Sequence, residues 1–435
     1  MKSEETKMVK SLQVNFSKNI EKLTYNLKNS TKRFIKEATN GVIKTQSCIV
    51  RQIAQSLHED IDLKKTQERL TYQLDNEKEI SKLRENMIIQ SCKKLESSSL
   101  IIVDPSDIVK KRATKMEGLS RVRDGNDGKY KLGYDVIDIV GANKMGEDFS
   151  LFPLYSEIHS ERVGAETIKN KLFDRFLEII INSNNSGIFV MDRGFDDKKV
   201  IEELYSHEAP FIIRMKKNRD IYYKNKLMNI YKAGKKIKRK YIFKSGKKTT
   251  IKAGVSDIGV PLSRHKVKNP KKANVKLVSA ELITTHKNGS KSKGEFLILI
   301  SIPNRQLPNE ELCKLALESY RLRWKIEEVH RHVKVDFGWE DIQLSKFNRI
   351  QSLNTILWLA LSFVYSLDSW KYKFAKVFTS LMMNKRNNLK ELEKFIYYRI
   401  TKVVCYCFRM TRLYQKKIPC KPDKLSKQML VPFFA

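Results

Sequence analysis

Acidic residues are the first thing this chain is short of. Its 49 Asp+Glu face 85 Lys+Arg, for a formal net charge of +36 at pH 7. Such a chain is expected to bind a polyanion even without a specific site, nucleic acid being the first candidate and an anionic membrane the second. Paired cysteines are also missing. Cys48, Cys92, Cys313, Cys405, Cys407 and Cys420 are scattered, with no C-x-x-C, which removes the usual signature of a structural zinc site or a dithiol redox site. Unpaired thiols suit a reducing cytosol. Long apolar runs are absent. The clearest, Ile356–Leu367, has 12 residues, short of the roughly 20 that a spanning helix needs, so a buried core helix is expected there and no membrane partner. The opening MKSEETKMVK has no apolar signal-peptide core, and a cytoplasmic protein is expected. No internal repeat is visible, and residues 1–95 hold a single glycine, Gly41.

What is present is globular in texture, with 41% hydrophobic and 31% charged residues. A chain of 435 residues is long enough for two to four domains by the usual domain size of about 100–200 residues. Residues 1–95 read as helical. Ile49, Ile53 and Leu57 form one apolar stripe, and Leu63, Leu70 and Leu74 form another across the short break HEDID. Two helices joined by a tight turn, the second one basic, fit a helix-turn-helix DNA reader. Plain helical packing explains the same pattern equally well.

At Ser99 the pattern changes to strands. SLIIVDPSDIVKK reads as a short apolar strand ending in Asp104. Strand-like runs follow at Tyr134–Gly141 and Phe149–Ile158, then a helix over Ala165–Ile181. Ile188–Met191 is the next strand and ends in Asp192; a helix through DKKVIEELYSHE and a strand PFIIRMKK complete the series. This order is similar to that of an RNase H-like α/β core. Acids at strand ends project from a rigid sheet at fixed depth. Each has a plainer explanation, because Asp at a strand end commonly caps the next helix or shapes a turn. Asp107 competes with Asp104 and is taken as a cap, and Asp124 and Asp127 lie in a glycine-rich turn.

The gap from Asp192 to the next candidate acid is far longer than one helix, one strand and a final helix need. The extra piece, 218–294, reads as β-rich, with hairpins at YIFKSGKKTTIKAGV and at KLVSAELITTHKNGSKSKGEFLILISIP. Residues 214–252 hold 16 Lys+Arg against one acid, Asp220. A solvated basic surface is the plain reading, and a floor for DNA the functional one.

Residues 318–338, ESYRLRWKIEEVHRHVKVDFG, lack proline and reach their first glycine at Gly338. They are expected to form one long helix. Advancing about 100° per residue brings Tyr320, Arg323, Glu327 and Lys334 onto one stripe about 60° wide, apart from the apolar Leu322, Ile326, Val329 and Val333. An ordinary solvated helix face carries such residues too. Three carboxylates in one pocket, from Asp104, Asp192 and Glu327, would repel strongly without divalent cations. Oxygen ligands without convergent Cys or His favour Mg2+ or Mn2+ over zinc.

The spacing Y-x2-R-x3-E-x6-K resembles the YREK signature of DDE transposases of the insertion-sequence-four family, which includes the Tn-five type. V-D-P-S around Asp104 and DRGFDD around Asp192 resemble its two aspartate motifs, and Trp324 beside Arg323 is similar to common family usage. The resemblance covers roughly 45–370. It implies an RNase H-like catalytic core interrupted by a β-rich insertion, with helical N-terminal and C-terminal regions. The implied organisation is an end-binding domain at 1–95, core at 96–217, insertion at 218–294, core with the Glu327 helix at 295–370, and a helical, dimerisation-type region at 371–435. It also implies Asp104, Asp192 and Glu327 as catalytic metal ligands for two Mg2+ or Mn2+ ions, with Tyr320, Arg323 and Lys334 on the DNA backbone. The partners it implies are double-stranded DNA, as transposon terminal inverted repeats and target, and a second copy of the chain in the end complex on the bacterial nucleoid. Another RNase H-like nuclease, or a DNA-binding relic without catalysis, is the alternative.

Overall fold

The computed structural model describes residues 3–125, 128–145, 148–164, 168–246, 248–262, 271–286, 288–303, 305–370, 374 and 396–411. Asp127, Cys420 and most of 371–435 lie outside the described residues.

Five helices open the chain: α1 (Ser3–Leu23), α2 (Asn29–Thr45), α3 (Val50–Ser56), α4 (Leu63–Leu74) and α5 (Glu77–Cys92). Gly41 sits where α2 meets α3; a Cβ there would lie 2.5 Å from Ile53 Cγ2. The lone glycine of this region is thus a close-crossing residue rather than a turn. Glu37 of α2, with a fully buried side chain, pairs with Arg69 of α4 at 2.6 Å and Arg33 at 2.7 Å, and Arg69 also reaches Glu59 at 2.9 Å. Asp62 caps α4 by accepting from the Lys64 N–H. The expected pair of short helices is present as α3 and α4, and Lys64, Lys65, Glu68 and Tyr72 of α4 are exposed.

A 12-stranded sheet follows. Its core strands are β1 (Leu100–Val109), β3 (Tyr130–Met145), β4 (Asp148–His159), β5 (Ile188–Met191) and β6 (Phe211–Arg214). β3 pairs antiparallel with both β1 and β4, while β1, β5 and β6 run parallel. Helices α6 (Ile168–Asn182) and α7 (Lys198–Ser206) connect them. A short strand the sequence did not announce, β2 (Ser120–Arg123), pairs with β3. This mixed α/β sheet is the RNase H-like arrangement.

The lysine-rich segment adds β7 (Asp220–Tyr223), β8 (Lys226–Asn229), α8 (Ile230–Lys236), β9 (Tyr241–Ser245), β10 (Thr249–Pro261), β11 (Lys272–Thr285) and β12 (Lys291–Ser301). Both expected hairpins form, β9 with β10 and β11 with β12. Because β12 also pairs with β6, the added strands extend the core sheet edge to edge.

Alternation sends the two faces of the sheet into two cores. Leu100, Ile102 and Ile108 of β1 join one core, Ile101 and Val103 the other. The first core is filled by α11 (Phe347–Ser366), whose residues 350–361 are all buried. Two of its polar side chains bond to β4: Gln351 Oε1 accepts from the Ile158 N–H at 2.9 Å, and Asn354 donates to Ser156 Oγ at 2.9 Å. No helix among the described residues is long and apolar enough to cross a membrane.

The expected single helix over 318–338 is broken. Helix α9 (Asn309–Leu322) stops, the chain makes a tight turn, α10 (Lys325–Arg331) follows, and a π-helical turn spans His332–Asp336. In the turn, Ile326 N–H donates to Arg323 O and Glu327 N–H to Trp324 O, three residues back instead of four. The expected stop holds: Gly338 has φ +58°, a left-handed conformation that suits glycine.

Candidate active site

Asp104 does not end its strand, as the sequence suggested. β1 continues beside β3 as far as Val109, opposite Gly133. What ends is the pairing on the other edge, since β5 accompanies β1 only to Ile102 opposite Val190. Pro105, which has no N–H, follows where that edge is free. Carried two residues past the last pair, the parallel register would bring Asp104 opposite Asp192, which follows β5 and caps the next turn. The same register through β6 sets Asp192 level with Arg214.

Asp192 also serves its neighbourhood: its Oδ1 accepts from the Gly194 N–H at 2.6 Å and caps the turn Arg193–Phe195. The other two acids of DRGFDD have structural partners. Asp196 pairs with Arg219 and accepts from the Lys216 N–H at 2.8 Å; Asp197 caps α7 through the Lys199 N–H. Asp107 is not a cap. It lies within β1, accepts from the Gly125 N–H at 3.3 Å, and sits 3.3 Å from Lys334 Nζ.

The break after α9 decides where the signature residues go. Arg323 stands between two acids, donating from Nη1 to Asp104 Oδ2 and from Nη2 to Glu327 Oε1, each at 3.0 Å. Asp104 and Arg323 have side chains 15% exposed, whereas Glu327 is 60% exposed at the open side. Tyr320 faces another way, its hydroxyl accepting from Arg214 Nη1 at 3.0 Å. The Arg214 guanidinium lies 4.4 Å from the Phe296 ring centroid, a cation–π contact. Lys334, on the π-helical turn, points to Asp107 and, at 3.9 Å, to Glu340. The expected common stripe therefore divides: Arg323 and Glu327 join Asp104, while Tyr320 and Lys334 flank them on different partners.

Electrostatics tie the three acids together. Burial pushes the Asp104 carboxyl up to about 6, and the charges of Asp192 and Glu327 add to the rise against Arg323 and His330, which pull it down. The three candidate ligands, Asp104, Asp192 and Glu327, are all oxygen donors, a set whose chemistry suits a hard divalent cation. The ligand set is not closed: among the described residues no three Asp, Glu, His or Cys side chains are grouped to hold an ion. Arg323 spans the space between two of the acids. The residue types fit a divalent cation, and Arg323 supplies the compensating charge between Asp104 and Glu327.

Three residues near the acids escaped the sequence reading. Arg214 ends an apolar strand as Asp192 follows one, a position that could have drawn notice. Asp138 interrupts the apolar face of β3, and His330 lies one turn beyond Glu327. Burial and pairing, which only the fold supplies, single them out.

Comparison with known families matches residues 98–363 to a model described as Transposase DDE domain. Comparison with curated proteins gives no match. The matched span runs from the residues before β1 into α11 and holds Asp104, Asp192, Glu327 and the broken helix between them. With more than half of its length so matched, the chain belongs to the transposase DDE domain family.

Proposed function

We propose that the chain is a cut-and-paste transposase of the insertion-sequence-four, Tn-five-like type, which nicks DNA at transposon ends and joins the 3′-hydroxyls to target DNA. The observation that carries this is the Arg323 bridge between Asp104 and Glu327, with Asp192, just after β5, near enough for its charge to act on Asp104. Asp104, Asp192 and Glu327 are the residues that would hold two Mg2+ or Mn2+ ions. Such ions, when bound, lower the cost of charge on the attacking and leaving oxygens of a phosphoryl transfer.

The chain's own residues do the rest. Arg323 balances the acids and is placed to meet a phosphate at the open side where Glu327 is exposed. Tyr320, held by Arg214 and Phe296, offers an aromatic surface beside it. Lys334 adds a phosphate contact from the π-helical turn. The basic segment 214–252, which includes β7, β8, α8 and β9, carries DNA beyond the cut, and the helices of 1–95 read the transposon end, with exposed Tyr72 and Lys65 of α4 as the candidate reading face. A homodimer in the end complex and residence on the nucleoid go with this reading.

The test is nicking and joining of terminal-repeat DNA. Asp192→Ala and Glu327→Ala are expected to abolish Mg2+-dependent nicking while end binding persists. Normal nicking by either variant removes the assignment. Cleavage without any joining in the wild-type chain would point to an RNase H-like nuclease of another kind, and end binding without cleavage to a non-catalytic relic.

A further inference from the structure

Asp138 stands directly opposite Asp104 in the antiparallel register of β1 and β3. It is 5% exposed, and its Oδ1 has no hydrogen-bond partner. Its neighbours on that face of β3, Tyr134, Val136, Val140 and Ala142, all belong to the hydrophobic core. A buried carboxylate in such a row costs free energy unless something compensates it. The nearest group of opposite character is on α10, where His330 Nε2 lies 3.1 Å from Asp138 Oδ2, within ion-pair distance but without hydrogen-bond geometry. His330 is three positions after Glu327, so the two share one side of the helix. A cavity of about 10 Å3, lined by Ser106, Asp107, Asp138, His330, Lys334 and Asn354 among others, opens beside the pair. His330 is near enough to Asp104 to oppose the upward push on its carboxyl.

The apolar residues on either side of Asp138 in β3 give no packing reason for a carboxyl there, whereas the cavity beside it is lined in part by polar side chains. A tyrosine or valine would continue the row at lower cost. The pair sits beside Asp104 across the β1–β3 register, while Arg323 Nη1 donates to Asp104 Oδ2. We propose that Asp138 and His330 form a positioning pair that fixes the depth and orientation of the Asp104 carboxylate for divalent-cation binding. Neither residue touches the DNA. The inference rests on the reading of Asp104 as a metal ligand.

The experiment is Mn2+ titration of the full chain, by calorimetry or by the paramagnetic resonance of free Mn2+, beside thermal unfolding and nicking at varied Mn2+. His330→Ala and Asp138→Asn are expected to weaken Mn2+ affinity about tenfold or more, the effect typical of groups that orient ligands. Their maximal nicking rate at saturating Mn2+ should fall less than their apparent metal affinity. His330→Gln, which keeps an N–H near the Nε2 position, should recover most of the affinity. Wild-type affinity in both His330→Ala and Asp138→Asn, with affinity lost in Asp104→Ala, overturns the pair and leaves the active-site reading standing. Wild-type affinity in Asp104→Ala overturns that reading itself. A loss that His330→Gln does not recover, or one that follows loss of cooperative unfolding, also overturns the pair by making it merely structural.

Discussion

At the scale of single residues, Asp104 shows how a functional acid is kept against its own preference. Its carboxyl is pushed up to about 6 by burial first and by Asp192 and Glu327 next. An unfolded aspartate titrates near 3.9. Below that value both states are protonated and Asp104 costs nothing; above about 6 the folded state carries the full cost of the ionised group. Stability of the metal-free protein is thus expected to fall across this window. Asp104→Asn should raise the unfolding temperature at pH 8 and leave it unchanged at pH 3, the gain being about 1–3 kcal/mol with the loss of the Arg323 partner taken off. Equal effects at the two pH values would contradict this account. Arg323→Gln should move the Asp104 titration further up, observable by carbon NMR of the labelled carboxyl; a downward move would show that Arg323 does not stabilise the charge.

At the scale of elements, two local details matter most. The crossing of α2 over α3 depends on Gly41. Alanine is the better helix former by about 1 kcal/mol, yet its Cβ would sit 2.5 Å from a methyl of the buried Ile53. Gly41→Ala is expected to destabilise by about 1–3 kcal/mol, the usual cost of overpacking, and a rise in denaturation midpoint would refute the close-crossing role. The π-helical turn is pinned by His332, which is fully buried between the Tyr365 hydroxyl at 3.2 Å and Thr401 Oγ1 at 3.0 Å. Burial lowers its pKa to about 3. A histidine held neutral in the fold supports stability above its unfolded value of about 6.5, and that support is lost as pH falls toward 3. His332→Gln should flatten the acid limb of the stability curve between these values, as chemical denaturation at stepped pH would report. An unchanged limb would place the acid sensitivity elsewhere.

At the scale of the molecule, charge and sheet work together. A net charge of +36 predicts steep salt dependence of DNA binding, whatever the sequence bound. Lys334→Ala should reduce the slope of log affinity against log salt by about one. An unaltered slope would mean that Lys334 stays with Asp107 and never meets a phosphate. The continuous sheet, with β12 joined to β6, makes the lysine-rich strands a rigid extension of the catalytic side. Deformation on binding is therefore expected in the loops rather than between two hinged sheets.

Much of this was written in local pattern. Apolar alternation marked the core strands, the run Ile188–Met191 to the residue, because a strand buried on both faces must be apolar throughout. Glycine and lysine spacing marked the β9–β10 and β11–β12 hairpins. The four signature positions could be picked out from one helical repeat, though that repeat assumed an unbroken helix. Tertiary packing settled the remainder. It carried β1 past Asp104 because β3 still offered partners, and it ended β5 at Met191, so that Asp192 follows the strand and caps the next turn. It broke the helix at Arg323 so that a guanidinium could lie between Asp104 and Glu327, and it sent Tyr320 and Lys334 to other partners. Periodicity along a chain reports which side of an element is apolar. Which charges then meet across elements is decided by register and by the cost of burying each of them alone.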